Sequence, residues 1–139
     1  MIDKYQTKLY GYRSLFSELT DTYNRNRLPN KILFSGKKGI GKATFAVHLI
    51  NYIFSLKEEN RYTLDNNSID INNKSYKLML QNIHPNFYYI KKKIDKKYIE
   101  ISEIRNLNNF INKSSFNDNL KIVLIDDIEY YQLVLQIHY

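Results

Sequence analysis

Cysteine is absent from the 139 residues, which excludes disulfides and thiolate metal sites and leaves the redox compartment open. No apolar run approaches the roughly 18 residues of a membrane span, and no basic-then-apolar leader opens the chain, so a cytoplasmic protein without a membrane partner is expected. In that compartment the Asn-x-Ser matches at Asn66, Asn73 and Asn112 carry no meaning. Histidine is scarce as well. His48, His84 and His138 lie far apart without ligand spacing, and His48 is expected to be packed or solvated rather than catalytic. Glycine (four) and proline (two) are few while Lys, Asn, Ile and Tyr abound, a combination that a strongly AT-rich genome produces whatever the protein does. The formal net charge of +7 is therefore discounted as a sign of a nucleic-acid partner. Only Lys91-Lys92-Lys93 and Lys96-Lys97 cluster; a solvated loop is the commoner role for such a run, with DNA contact as the sharper one.

What is present begins with core material. Hydrophobic residues make up 43% of a chain long enough for one domain at most, so a globular fold is expected. The most informative stretch is Gly36-Lys-Lys-Gly-Ile-Gly-Lys-Ala43, which fits the phosphate-binding P-loop spacing GxxxxGK except at its final position. In such a loop, glycines let backbone N–H groups close around phosphates, the lysine reaches the β- and γ-phosphates, and a Ser or Thr hydroxyl holds Mg²⁺. Lys42 is present, but the hydroxyl position is Ala43. Thr44 follows one residue later, turned about 100° around the helix, and is a poor replacement.

The context supports the motif. Ile32-Leu-Phe34 reads as a short buried strand into the loop, and Lys42 to Leu56 as a helix with Phe45, Leu49, Ile53 and Leu56 along one face. Lys121-Ile-Val-Leu-Ile-Asp-Asp127 reads as a buried strand ending in two acids, the form of a Walker B element. Tyr12, Leu15, Phe16, Leu19 and Tyr23 predict an amphipathic helix ahead of the loop, stopped by Pro29. Residues 57–73 are polar and Asn-rich, which predicts a surface insertion or mobile loop. Tyr76 to Ile83 reads as a short helix and Phe87 to Ile90 as a second strand. Ile101, Ile104, Leu107 and Ile111 mark a further helix capped by Ser102. The alternation of helices and strands predicts a three-layer α/β/α fold with a parallel sheet.

Several of these segments, in this order, resemble one family: the delta-prime subunit of the bacterial DNA polymerase III clamp loader, within the AAA+ P-loop superfamily. The carriers are Leu9-Tyr-Gly11, Arg27-Leu-Pro-Asn-Lys-Ile-Leu-Phe-Ser-Gly36, Gly39-Ile-Gly-Lys-Ala-Thr44, His84-Pro-Asn-Phe87, Ile101-Ser-Glu-Ile-Arg105, and Ser114-Ser-Phe116 with Lys121 to Asp127. The resemblance implies a role in DNA replication beside other clamp-loader subunits, the sliding clamp and primed DNA. It also implies a stator-like subunit that turns over little ATP of its own. On that basis Gly36, Lys37, Lys38, Gly39, Ile40, Gly41, Lys42, Ala43, Thr44, Asp126 and Asp127 form the candidate nucleotide site, for ATP with Mg²⁺. Asp126 is the candidate metal ligand, and no residue is assigned as catalytic. Asp127 stands where the family's catalytic glutamate is usual and is one methylene shorter. Tyr10, Gly11 and Tyr12 are candidates for adenine contact.

The departures are specific. The zinc-binding cysteines of many relatives are missing, so no zinc is expected. The resemblance implies further lid and collar domains, a strand between the Walker A and Walker B strands, and a Ser-Arg-Cys finger segment. None of these is found, so residues 1–139 read as the N-terminal part of an incomplete AAA+ domain and no arginine receives the finger role. Tyr130 to Tyr139 is apolar and β-prone and does not match the family's continuation. A truncated or frameshifted reading frame with exposed parallel-strand edges is one expectation; a natural tail that fills the vacant sheet position is the other. A nucleotide-independent interaction scaffold and a stand-alone P-loop ATPase remain as alternative functions.

Overall fold

The computed structural model describes residues 6–91, 98–116, 120–127 and 132–138. Along the chain it forms α1 (Arg13–Asn24), β1 (Lys31–Ser35), α2 (Lys42–Ser55), α3 (Lys74–Leu80), β2 (Phe87–Lys91), α4 (Ile101–Asn112), β3 (Lys121–Asp127) and β4 (Gln132–His138). The α/β class read from the sequence is therefore the class observed. The chain divides into a helical unit, Met1–Pro29 with Ala43–His84, and a sheet unit, Asn30–Lys42 with Pro85–Tyr139. Among the described residues, no helix is long and apolar enough to cross a membrane.

In the helical unit, α2 is buried on more than the one face its periodicity predicts. Every residue from Phe45 to Ile53 is buried, His48 and Asn51 included. Such a helix carries polar side chains only where each finds a partner. The His48 ring bonds the Gln6 carbonyl through Nε2 (2.7 Å) and the Tyr62 hydroxyl through Nδ1 (2.8 Å). A carbonyl only accepts, so Nε2 carries the proton and Nδ1 accepts from Tyr62. Burial moves the His48 pKa below its ordinary value. Asn51 donates to the Asn73 side chain (3.0 Å), and Ser55 Oγ accepts from the Tyr62 backbone N–H (2.9 Å). Aromatic rings fill the remaining space: Phe16 of α1 meets Phe45 edge-on at 5.5 Å and Tyr62 at 5.4 Å.

Residues 57–73, expected as a polar surface insertion or mobile loop, are largely exposed, with a few side chains turned inward. Thr63 and Ser68 bridge, Leu9 N–H bonds the Asn67 carbonyl, and Ile69 N–H bonds the Thr7 carbonyl. Tyr62, Asn67, Ile69 and Asn73 are buried. Asn60, Asn66 and Asn72 stay exposed as the composition suggests, whereas Asn67 and Asn73 are drawn inside. Helix stops are also made differently from the expectation at Pro29. α1 ends at Asn24, Asn26 takes φ 56°, and Arg27 N–H reaches the Thr22 carbonyl. This is a left-handed Asn closing the helix before the proline is reached.

His84, at the end of this unit, stacks on Phe54 with ring centroids 4.3 Å apart and an interplanar angle of 13°. Burial lowers its pKa from 6.5 to about 4. The folded state thus favours the neutral ring, so this contribution is complete above pH 6.5 and is lost as pH falls toward 4. Urea denaturation at pH 7.5 and 5.0 is expected to show a loss of about 2 kcal/mol, with His48 shifted in the same direction. His84→Phe, which keeps a stacked ring, should reduce that loss. Equal stability at the two pH values would contradict the burial.

In the sheet unit the strand order is β1-β4-β3-β2. β2 and β3 are parallel, as expected, but β4 runs antiparallel to both β1 and β3, so the sheet is mixed rather than wholly parallel. Of the two expectations for the position between β1 and β3, vacant or filled by the tail, the second is observed: β4 lies there and covers the neighbouring edges of both strands. Leu133, Leu135 and Ile137 are buried while Val134, Gln136 and His138 are half-buried, the period-two pattern of a strand with one core face. Ile122, Val123 and Leu124 are buried on both faces of β3. β1, expected to be buried, is an edge strand in which Leu33 is 57% exposed. It pairs along one side only, which leaves its other side without sheet cover.

α4 begins after Glu100, whose side chain makes no cap hydrogen bond. Ser102, expected as the cap, instead donates to Glu100 Oε2 (3.4 Å). At the other end, the buried Lys121 donates to the carbonyls of Phe110, Ile111 and Lys113. A cation on the orphan carbonyls of a helix C-terminus is favourable there. Asn86 joins two segments of the family pattern: its amide donates to the Phe116 carbonyl (3.0 Å) and accepts from the Phe116 N–H (2.9 Å). An ionised aspartate, which only accepts, could not make both bonds.

Candidate phosphate-binding site

The loop from Gly36 to Lys42 leaves the C-terminal end of β1. Gly39 and Gly41 hold φ 86° and 93°, a region that side chains with a Cβ rarely adopt, and this explains glycine at those two positions. Lys37, Lys38, Gly39 and Ile40 are exposed, while Gly36, Gly41 and Lys42 are half-buried. The Lys42 ammonium folds back over the loop and donates to the carbonyls of Gly36 (2.5 Å) and Lys37 (2.9 Å). Two of its three donors are thus spent on the loop's own backbone. Lys42 is the first residue of α2, and Ala43 and Thr44 are its next two, both half-buried.

The register of the sheet determines where the acids stand. Ser35 pairs with Gln132, and Gln132 pairs with Asp127; one step in, Phe34 pairs with Leu133 and Leu133 with Asp126. The loop and both acids therefore leave the sheet at the same end, with β1 and β3 separated by one strand, about 10 Å across. Paired residues share a face, so Asp126 lies on the apolar side with the buried Leu133. Its carboxylate is half-buried and accepts a hydrogen bond from the Tyr89 hydroxyl (3.4 Å). Asp127 belongs to β3 by its backbone pairing with Gln132. Among the described residues, no group of three His, Cys, Asp or Glu side chains is arranged to hold a metal ion.

Glycines with positive φ, three lysines and a helix start are anion-binding features, whereas position 43 offers only a methyl group. The lysines Lys92, Lys93, Lys96 and Lys97 of the basic run lie outside the described residues. In the helical unit, Tyr10 is exposed with the Lys8 ammonium 5.5 Å from its ring centroid, Gly11 has φ 78°, and Tyr12 opens α1 at φ 54°. Sequence reasoning missed Tyr89 as the partner of Asp126. No local signal could have found it, because the pairing depends on the parallel register of β2 and β3.

No curated protein matches the chain. The family described as DNA polymerase III, delta subunit, matches residues 11–134, which covers the glycine loop, both acids and the first residues of β4. The chain belongs to this DNA polymerase III delta subunit family, a family related to the clamp loader.

Proposed function

We propose that this chain acts in DNA replication as a delta-prime-like clamp-loader subunit, helping other subunits place the sliding clamp on primed DNA, and that it holds a nucleotide by its phosphates without turning it over. The observation that carries the nucleotide part is the Gly36–Lys42 loop, with positive φ at Gly39 and Gly41 and Lys42 as the first residue of α2. Gly39, Gly41, Lys42 and the amides of Ala43 and Thr44 would hold the phosphates. The delta-prime assignment rests on the ordered segments that resemble that subunit.

Hydrolysis has little support in the residues. It needs a positioned metal and a base that reaches the attacking water. Ala43 supplies no side-chain oxygen, Asp126 already accepts from Tyr89 at one of its two carboxylate oxygens, and Asp127 is shorter than the usual glutamate. One observation favours a second reading, a nucleotide-independent scaffold: Lys42 spends two of its three donors on the loop's own carbonyls.

Calorimetry with ATP, beside a phosphate-release assay, separates these readings. Micromolar binding is expected, weakened at least tenfold in Lys42→Ala, an effect of about 1.4 kcal/mol or more, with no phosphate released. Absence of heat from the folded protein would leave the scaffold. Rapid hydrolysis would overturn the proposal.

A further inference from the structure

We infer that the Gly36–Lys42 loop takes its polyphosphate in metal-free form, so that Mg²⁺ brings no gain in affinity; this rests on the phosphate-site reading above and defines its ligand. A divalent ion at such a loop draws on a hydroxyl oxygen at the position after the lysine and, through water, on the acid of the neighbouring strand. Here the first is the methyl of Ala43. The second, Asp126, accepts from the Tyr89 hydroxyl at 3.4 Å and shares its face of the sheet with the buried Leu133. The loop therefore lacks the one side-chain oxygen that would bind Mg²⁺ directly, and Asp126 alone would reach the ion only through water.

The positive charge that Mg²⁺ would contribute is provided by the chain instead. Lys37, Lys38 and Lys42 stand within one loop, the first two exposed and the third keeping one ammonium donor beyond its bonds to the Gly36 and Lys37 carbonyls. Mg²⁺ on a triphosphate cancels two of its negative charges. It therefore reduces the attraction these lysines exert without adding a contact to the protein.

The test is calorimetry of the whole chain with ATP and with inorganic pyrophosphate, each in Mg²⁺ and in excess EDTA. Equal Kd values, or values up to tenfold tighter in EDTA, are expected. Ala43→Thr, checked for an unchanged unfolding midpoint, should gain at least fivefold in affinity when Mg²⁺ is added. Tenfold tighter binding of the unaltered chain in Mg²⁺, lost in Asp126→Asn, would overturn the inference and leave the phosphate site standing. No gain in Ala43→Thr would overturn the role given to position 43, and no binding in either buffer would remove both the inference and the phosphate site.

Discussion

Leu135→Asp is expected to abolish cooperative unfolding of the sheet unit, the largest effect of any single substitution considered. Leu135 is fully buried and pairs with Ile32 of β1 on one side and Leu124 of β3 on the other. An aspartate there forfeits about 2–3 kcal/mol of apolar burial. It also places a carboxyl group among aliphatic side chains without a partner, at a cost of several kcal/mol more whether it ionises or stays protonated. The sum reaches the low end of the whole stability of a small domain, about 5–15 kcal/mol. Leu33→Asp on the exposed edge strand should change stability by no more than about 0.5 kcal/mol. Urea denaturation followed by far-ultraviolet circular dichroism makes the comparison. A Leu135→Asp protein that melts like the unaltered chain would show that β4 does not lie between β1 and β3.

Asn73→Leu is expected to cost about 4 kcal/mol, the second large effect. This one side chain makes four hydrogen bonds in the helical unit. Its oxygen caps α3 by accepting from Tyr76 N–H (2.9 Å) and accepts from Asn51 (3.0 Å). Its nitrogen donates to the Asn60 carbonyl (3.0 Å) and to Asn51 Oδ1 (3.2 Å). Loss of the cap removes about 1 kcal/mol, and each buried group left unpaired costs about 1–3 kcal/mol more. Asn51→Leu alone should cost less, because Asn73 would keep its cap and its bond to Asn60. Replacing both amides removes the orphaned pair together, so the double variant should be less destabilised than the sum of the singles by at least about 1 kcal/mol. Strict additivity in that cycle would argue against a direct Asn51–Asn73 contact.

These two residues show what kind of information the sequence carries. Asn73 was legible only as part of a polar, Asn-rich stretch and as a glycosylation-like match, while its burial depends on α2 and on Asn60, which lie 22 and 13 residues away. Leu135 was legible as apolar and β-prone, but the direction of its strand and its neighbours were not. Helix and strand existence proved far easier to read. α2, α3, β2 and α4 lie within a few residues of their expected bounds, since each rests on a periodicity that neighbouring residues generate by themselves. Caps and stops were less legible: Asn26 and Asn82 end helices by taking φ values of 56° and 58°, a capacity that the residue type permits without requiring it.

The site divides in the same way. By itself the sequence determined the glycine loop, its lysine, the missing hydroxyl at Ala43 and the two acids closing β3, because these are properties of residue identity and spacing. Only the tertiary structure decided that β4 would take the place between β1 and β3, that this register would bring the loop and Asp126 to one end of the sheet, and that Tyr89 would engage the acid. Strand pairing joins residues distant in the chain, and its register follows from burying a whole face at once. Asp126 therefore meets Tyr89 through the parallel register of β2 and β3 and the buried Leu133 through that of β3 and β4, conditions that no local stretch of sequence contains.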